Sequence, residues 1–124
     1  MDVVEMRGLR VMGTHGVLAE ERLRDQPFEV DVDLHLDLAP AGRSDDVADT
    51  VDYGRAAAAV AAVVGGPPVN LLERLATRIA EELLAGDGRV EAVTVTVRKL
   101  RPPVAVDLDH AAARITRRRG GAGG

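Results

Sequence analysis

The sequence predicts an α+β fold in which two helices cover one face of an antiparallel sheet, with the elements in the order β-β-α-α-β-β. Apolar and polar residues alternate strictly over residues 28–38 and again over 93–98 within the segment 91–99, which predicts two strands with one buried face each. Between them lie two segments with helical periodicity, separated by glycines and prolines. Two helices that follow one another in this way cover only one face of such a sheet.

The first strand is predicted over residues 3–12 and contains one irregularity. Its apolar residues lie on one side before Gly8 and on the other side after it: Val4 and Met6, then Leu9 and Val11. A glycine at such a change of side indicates a β-bulge. Residues 13–27 are charged and rich in turn-forming residues, so we expect a loop that connects this strand to the strand at 28–38 as a hairpin.

The first helix is predicted to follow a second loop, residues 39–50. Asp52 is placed to cap the helix, and Gly65 is placed to end it. Small alanine side chains dominate this segment and would let the helix lie close to the sheet. The pair Pro67-Pro68 then forces a new start.

The second helix is predicted from about Leu71 to Leu84, with Gly86 as its stop. Its apolar face consists of Leu72, Leu75, Ala76, Ile79, Ala80 and Leu83. Asn70 precedes Glu73 by three residues, which is the spacing of a capping box. By this local rule Glu73 closes the start of the helix.

The last two strands are predicted over residues 91–99 and, more weakly, 104–117, with a proline pair between them. The chain length of 124 residues fits one domain, which we place at residues 1–117. Residues 118–124 contain arginine and glycine and are predicted to form a flexible C-terminal tail.

The composition excludes several classes of function. A net charge of −4 and an aromatic content of 2% argue against binding to nucleic acid by phosphate contacts or base stacking. The chain has no cysteine, which removes disulfides, thiolate zinc sites and cysteine nucleophiles. It has no signal-peptide pattern and no apolar run of membrane-spanning length. We therefore expect a cytoplasmic protein that associates with neither nucleic acid nor membrane.

The second face of the predicted sheet is polar, with Asp31, Asp33, His35 and Asp37 on the strand at 28–38. Such a row could hold a metal ion, or it could be a hydrated surface; the histidines lack the close spacing of metal ligands. The edges of the sheet also need partners. Joining edges between subunits into a larger barrel would solve both problems.

Four side chains are candidates for chemistry, and each has a simpler alternative. Lys99 shares the buried side of its strand, where partial desolvation suits a general acid or base, but its amine could instead reach water. Tyr53 is the only tyrosine and could be a packing residue. Glu21 could be a solvated loop charge, and Glu73 could serve only as a helix cap.

Four segments of the chain together resemble the dihydroneopterin aldolase family of folate biosynthesis. They read LRVMGTHGVLAEE, DTVDYG, VNLLERLATRIAEELL and VTVRKLRPPV, occur in the order found in that family, and span roughly residues 3–117. After Lys99 the chain keeps a proline pair but lacks a glycine that some relatives place shortly afterwards.

The resemblance implies the tunnelling fold (T-fold), in which subunits join their sheets into a ring-shaped barrel. The ring is usually a tetramer, and two rings often stack as an octamer, with active sites between neighbouring subunits. The implied reaction is a retro-aldol cleavage of 7,8-dihydroneopterin that uses no cofactor and no metal, because the pterin ring itself accepts the electrons.

The resemblance also implies roles for individual residues. Glu73 would accept hydrogen bonds from the 2-amino group and N3–H of the pterin, and backbone groups of Leu72 and Val51 would border the ring. Lys99 would act as acid and base near N5 and the side-chain hydroxyls.

Of the remaining residues, Tyr53 would help a proton reach the product and shape the pocket, acting across the subunit interface. Glu21 would lie beside the reacting side chain. His15, which lies between turn-forming residues, would shape its loop rather than carry the main proton transfer.

Two alternatives remain open on the sequence. An epimerase of dihydroneopterin or its triphosphate would use the same fold, and cleavage followed by re-addition on the other face would invert C2′, so one enzyme can do both. A non-catalytic assembly domain would keep the scaffold, but the joint presence of the four candidate side chains disfavours it.

Overall fold

A computed structural model describes residues 1–120 of the chain. Its four strands form one antiparallel sheet in the order β1-β2-β3-β4, with β1 at Asp2–Gly13, β2 at Gln26–Leu36, β3 at Ala92–Lys99 and β4 at Ala111–Arg118. The helices are α1 at Ala39–Ser44, α2 at Tyr53–Val64 and α3 at Leu72–Gly86. The antiparallel sheet and the placement of the two long helices between its hairpins are confirmed.

The apolar rows that predicted the elements form the core. On β2 the buried residues are Phe28, Val30, Val32, Leu34 and Leu36, and the alternating valines of β3 lie beside them. The buried face of α3 matches the predicted one, with Leu75, Ala76, Ile79, Ala80 and Leu83 against the sheet and α2. Both long helices therefore cover the same face, and the polar residues of the sheet lie on the other.

The predicted bulge in the first strand is confirmed. The register between β1 and β2 shifts between Met6 and Leu9. Gly8 has a φ of 69°, a left-handed conformation that favours glycine, and its N–H donates to Asp31 Oδ1 at 2.8 Å. The extra residue lets the apolar side chains on both sides of the bulge pack against the core.

Some predicted boundaries were wrong. The loop predicted over 39–50 contains α1, whose first turn holds a proline, and a short 3₁₀ turn at Val47–Asp49. β2 begins and ends two residues earlier than predicted, because Gln26 still pairs with Gly13 at the end of β1. The last strand begins at Ala111 rather than at 104.

The predicted C-terminal tail begins too early. Arg118 belongs to β4, and the Arg119 guanidinium donates to the carbonyls of Leu84 at 2.6 Å, Asp87 at 2.8 Å and Val90 at 2.9 Å. Arg119 therefore ties the end of the last strand to the end of α3. Residues 121–124 of the predicted tail lie outside the described residues.

The polar face of the sheet is held by pairs of opposite charge. Arg7 contacts Asp33 at 2.6 Å, and Arg98 contacts Asp31 at 2.8 Å. Within residues 1–120, no three His, Cys, Asp or Glu side chains come together as metal ligands would. Over the same residues, no helix has both the length and the apolar character needed to cross a membrane.

Candidate active site

Lys99 and Glu21 form a buried ion pair at one end of the sheet. Lys99 is the last residue of β3, on the buried side, opposite Phe28 of β2. Its Nζ donates to Glu21 Oε2 at 2.6 Å, and the two side chains are only 11% and 8% exposed. The alternatives of a lysine amine that reaches water and of a solvated loop glutamate are therefore wrong. A buried charge of either sign needs a partner, and here each supplies the other.

The loop between β1 and β2 brings Glu21 to this position. Glu21 lies in a 3₁₀ turn at Ala19–Arg22, and its second oxygen, Oε1, accepts from the backbone N–H of Leu18 at 3.2 Å. Gly16 approaches the carboxylate so closely that a Cβ on it would lie 2.3 Å from Glu21 Cδ. Only glycine at position 16 leaves room for the buried carboxylate.

Two polar side chains hold this loop in place, and sequence reasoning missed both. Arg22 Nη1 donates to the carbonyls of Gly16 and Val17, each at 2.8 Å. Gln26 Nε2 donates to the carbonyls of His15 and Glu21, each at 3.0 Å. The carbonyls of a loop have no strand or helix partner and need other donors. Arg and Gln side chains in the same loop carry several donors, and this was the signal that could have predicted their role.

His15 is buried at the base of the loop with both ring nitrogens satisfied. Nδ1 accepts from the backbone N–H of Val69 at 3.0 Å, so the proton is on Nε2, which donates to the Val64 carbonyl at 2.6 Å. Burial lowers the pKa of His15, and the positive charges of Arg78 and Lys99 lower it further, against the opposing effect of the Val64 carbonyl. The ring is therefore neutral, and its two bonds connect the loop to Val64 and Val69.

Glu73 lies in the first turn of α3, where its carboxylate is exposed. The predicted capping box is wrong, because the helix begins after Leu71 and has no side-chain cap. The Asn70 side chain instead lies 3.4 Å from Arg22 Nη1, as a hydrogen-bond acceptor. The positive end of the helix favours an anion at position 73. Leu72, beside it, is half-buried against the core.

Tyr53 and Val51 lie at the start of α2. The Asp52 side chain caps this helix as predicted, accepting from the N–H groups of Gly54 at 3.0 Å and Arg55 at 3.3 Å. Tyr53 is 67% exposed, so it is not the packing residue of the simpler alternative, whereas the Val51 side chain is buried. Both line a surface groove of about 500 Å³.

The structure does not bring these two residues to the ion pair within one chain. Val51 lines a small cleft together with Leu34 of β2, whereas Lys99 pairs with Phe28. Leu34 is six residues from Phe28 along the same strand, a separation of about 20 Å. The start of α3, by contrast, adjoins the loop of Glu21, because the Gly16 N–H donates to the Val69 carbonyl at 3.0 Å.

The candidate residues thus form two groups at opposite ends of the sheet. One contains the ion pair together with the exposed carboxylate at the start of α3, and the other contains Tyr53 beside the backbone of Val51. A buried lysine–carboxylate pair can transfer protons, and an exposed carboxylate at a helix N-terminus can accept hydrogen bonds from a small polar molecule, which together are typical of an acid–base enzyme.

Comparison with known proteins identifies the family. The sequence model described as "FolB: Dihydroneopterin aldolase" matches residues 4–116. The chain belongs to the dihydroneopterin aldolase family.

Individual relatives match this chain in sequence or structure over nearly its whole length. A dihydroneopterin aldolase of Streptomyces coelicolor is 49% identical over 119 residues, covering 96% of this chain and 99% of the relative. The crystal structure of E. coli dihydroneopterin aldolase in complex with neopterin is 32% identical, with a TM-score of 0.86, covering 94% of this chain and 99% of that one. The Burkholderia enzyme bound to guanine is 28% identical, with a TM-score of 0.75, covering 94% and 90%.

Proposed function

We propose that the chain cleaves 7,8-dihydroneopterin by a retro-aldol reaction, releasing 6-hydroxymethyl-7,8-dihydropterin and glycolaldehyde for folate biosynthesis. The observation that carries the proposal is the buried pair of Lys99 and Glu21. It places a proton donor and a proton acceptor together, out of water, in a chain of this family. We place the reaction in the cytoplasm, in agreement with a chain that contains no cysteine.

The reaction needs proton transfers but no cofactor. Loss of the proton from the 2′-hydroxyl turns C2′ into the aldehyde carbon as the C1′–C2′ bond breaks. The electron pair of that bond forms a double bond from C1′ to C6, and the C6=N5 electrons move to N5, which takes a proton. Protonation of C1′ and loss of the proton from N5 then re-form the C6=N5 bond and complete the hydroxymethyl product. The protein must orient the substrate and move these protons.

Lys99 and Glu21 supply the proton transfers near N5 and the side-chain hydroxyls. The Lys99 ammonium donates, and its carboxylate partner keeps the amine in place between steps. Tyr53 of a neighbouring subunit helps the proton reach C1′ and forms part of the pocket wall. Hydrogen bonds among such groups are stronger in a site shielded from water.

Glu73 binds the pterin ring. Its carboxylate accepts from the 2-amino group and from N3–H, a bidentate arrangement that matches two donors to two oxygens. The support is the exposed position of the carboxylate at an uncapped helix start. Guanine and neopterin, the ligands named for two structural relatives, both present this edge of an amino group beside a ring N–H. The backbones of Leu72 and Val51 border the ring.

The complete site requires neighbouring subunits. Tyr53 lies too far from Lys99 to act in the same chain, and the outer edges of β1 and β4 have no strand partner among residues 1–120. Pairing β4 of one subunit with β1 of the next would close a tunnelling-fold barrel and bring the two groups of residues together. We propose a tetrameric ring as the unit and a stacked pair of rings, an octamer, as the full assembly.

A product assay with purified protein and no added metal tests the proposal. We expect dihydroneopterin to disappear as glycolaldehyde and the hydroxymethyl product appear in equal amounts. A strong preference for the triphosphate without glycolaldehyde would overturn the proposal in favour of an epimerase. Absence of any pterin binding in calorimetry would indicate the non-catalytic assembly domain.

A further inference from the structure

His15 lies where four elements of the fold meet. Its ring bonds to Val64 at the end of α2 and to Val69 before α3, and it follows the end of β1. It also packs edge-on against Phe28 of β2, with ring centroids 5.3 Å apart at an interplanar angle of 70°. Phe28 is the register partner of Lys99. Phe28 therefore lies between the His15 ring and Lys99 in the chain of contacts.

The backbone of Val69 connects the loop that carries Glu21 to the start of α3, which carries Glu73. Its N–H donates to His15 Nδ1 at 3.0 Å, and its carbonyl accepts from the Gly16 N–H at 3.0 Å. We call these three residues the His15 clamp. On one side of the clamp the loop continues to Glu21, and on the other side the chain enters the turn that carries Glu73.

We propose that His15 is a positioning residue that sets the separation between Glu73 and the Lys99–Glu21 pair. The inference rests on the proposed function, in which Glu73 holds the pterin ring while the pair acts on the side chain of the same molecule. The distance between the two must then match the substrate. A displacement of about 1 Å at such a site costs about 100-fold in rate.

The clamp requires the neutral ring. A proton on Nδ1 would face the Val69 N–H donor to donor and break the bond between them. The charged groups that act on the ring are Arg78 of α3 and Lys99 of β3, both positive, while α2 presents the Val64 carbonyl and β2 presents Phe28. Burial and these charges lower the pKa of His15 below its ordinary value of 6.5.

The direction of the pH effect follows from this lowered pKa. Well above pH 6.5 the ring is neutral in both the folded and the unfolded chain, and the contribution of His15 to stability is complete. As the pH falls below that value the unfolded chain takes up a proton that the folded chain does not, so stability is lost. The loss continues until the ring in the folded protein is itself protonated, and there the clamp opens.

Two substitutions separate the two ring bonds. In His15→Asn the amide oxygen takes the place of Nδ1 and can accept from Val69, while the bond to Val64 is lost. In His15→Gln the amide nitrogen reaches the place of Nε2 and can donate to Val64, while the bond to Val69 is lost. His35→Asn, on the polar face at the far end of the sheet beside Thr94, is the matched control.

We expect His15→Gln to lose about 100-fold in kcat/KM, mainly in kcat, and His15→Asn to stay within about 5-fold of the wild type, as His35→Asn does. Amide hydrogen exchange at Val69 and Gly16 should be faster in His15→Gln than in His15→Asn. Equal kcat/KM for the two folded His15 variants, or unchanged exchange at Val69 in His15→Gln, would overturn the inference.

The exchange measurement also separates this inference from the proposed function. If the wild-type protein released no glycolaldehyde, the proposed function would fail, whereas the exchange rates would still report whether the clamp exists. If neither variant folded, the wild-type protein alone would decide. The protection of the Val69 N–H, which is its exchange rate relative to the intrinsic rate at each pH, must then decrease as the pH falls through the range in which the His15 ring signal titrates by NMR. Protection that stayed constant through this titration would refute the clamp.

Discussion

Removal of one member of the buried ion pair should lower both stability and turnover. Removal of both members should restore most of the stability while turnover stays low. In Lys99→Met the Glu21 carboxylate remains buried, and among residues 1–120 only the Leu18 N–H still donates to it. In the double variant Glu21→Met with Lys99→Met, straight apolar chains of similar length replace both charges. The buried charge is then absent, while the surrounding packing is largely retained.

The magnitude follows from the burial of the pair. An uncompensated charge in a site where both side chains are about nine-tenths buried costs about 3–5 kcal/mol. For a chain of 124 residues, 1 kcal/mol corresponds to about 4 °C in Tm, so the single variant should melt about 12–20 °C lower. The double variant should regain most of this loss, because apolar replacement of a buried pair is often neutral.

The assay combines urea unfolding with initial rates of glycolaldehyde release. All proteins are compared at one protomer concentration, because assembly makes the stability depend on concentration. Turnover should fall by about 10²–10⁴ in both the single and the double variant, since each lacks the group that transfers protons. A stability change below about 0.5 kcal/mol in the single variant would mean that the pair is solvated. Retained turnover in the double variant would refute its role in catalysis.

Three further predictions test the other parts of the site. Glu73→Gln should weaken pterin binding by about 10- to 100-fold in calorimetry while changing the free energy of unfolding by less than about 1 kcal/mol; a loss of stability without loss of affinity would restore a purely structural role. Gly16→Ala should lower turnover at unchanged oligomeric state, because the added Cβ displaces Glu21. Full activity of this variant would contradict the close approach of Gly16 to the Glu21 carboxylate. Mixing Tyr53→Ala subunits with Lys99→Ala subunits should restore part of the lost activity, because some shared sites would combine an intact Tyr53 with an intact Lys99. If subunit exchange is verified and no activity returns, sites shared between subunits are excluded.

The fold was predictable because its signals are local. Alternation over β2 and β3 and the apolar face of α3 each depend only on neighbouring residues, and the structure retains them. The bulge at Gly8 was also visible, because a change of side within a strand requires an extra residue. Short elements such as α1 were missed because six residues contain too little periodicity to detect.

The candidate site was less predictable because its partners are distant in sequence. Glu21 and Lys99 are 78 positions apart, and local rules treated the first as a surface charge. The stronger clue was Lys99 itself, since a lysine in a buried row needs a carboxylate. The capping box predicted at Asn70 failed for the opposite reason. The local rule was sound, but the Asn70 side chain accepts from Arg22, which is distant in sequence, and does not cap the helix.

The bulge in β1 also determines which mutations the N-terminal strand can tolerate. Substitutions among its apolar residues keep the pattern of sides, and many should be mild. Deletion of Gly8 would leave Arg7 opposite Asp31 and Met6 opposite Val32, so the apolar side chains would stay on the buried face. Deletion of Glu5 would also remove no apolar side chain, yet it would place Val4 opposite Asp33 and turn it toward the polar face. Away from the bulge, the number of residues in this strand is therefore under stricter constraint than their identity, and natural variation in length should occur in the loops or at Gly8 itself.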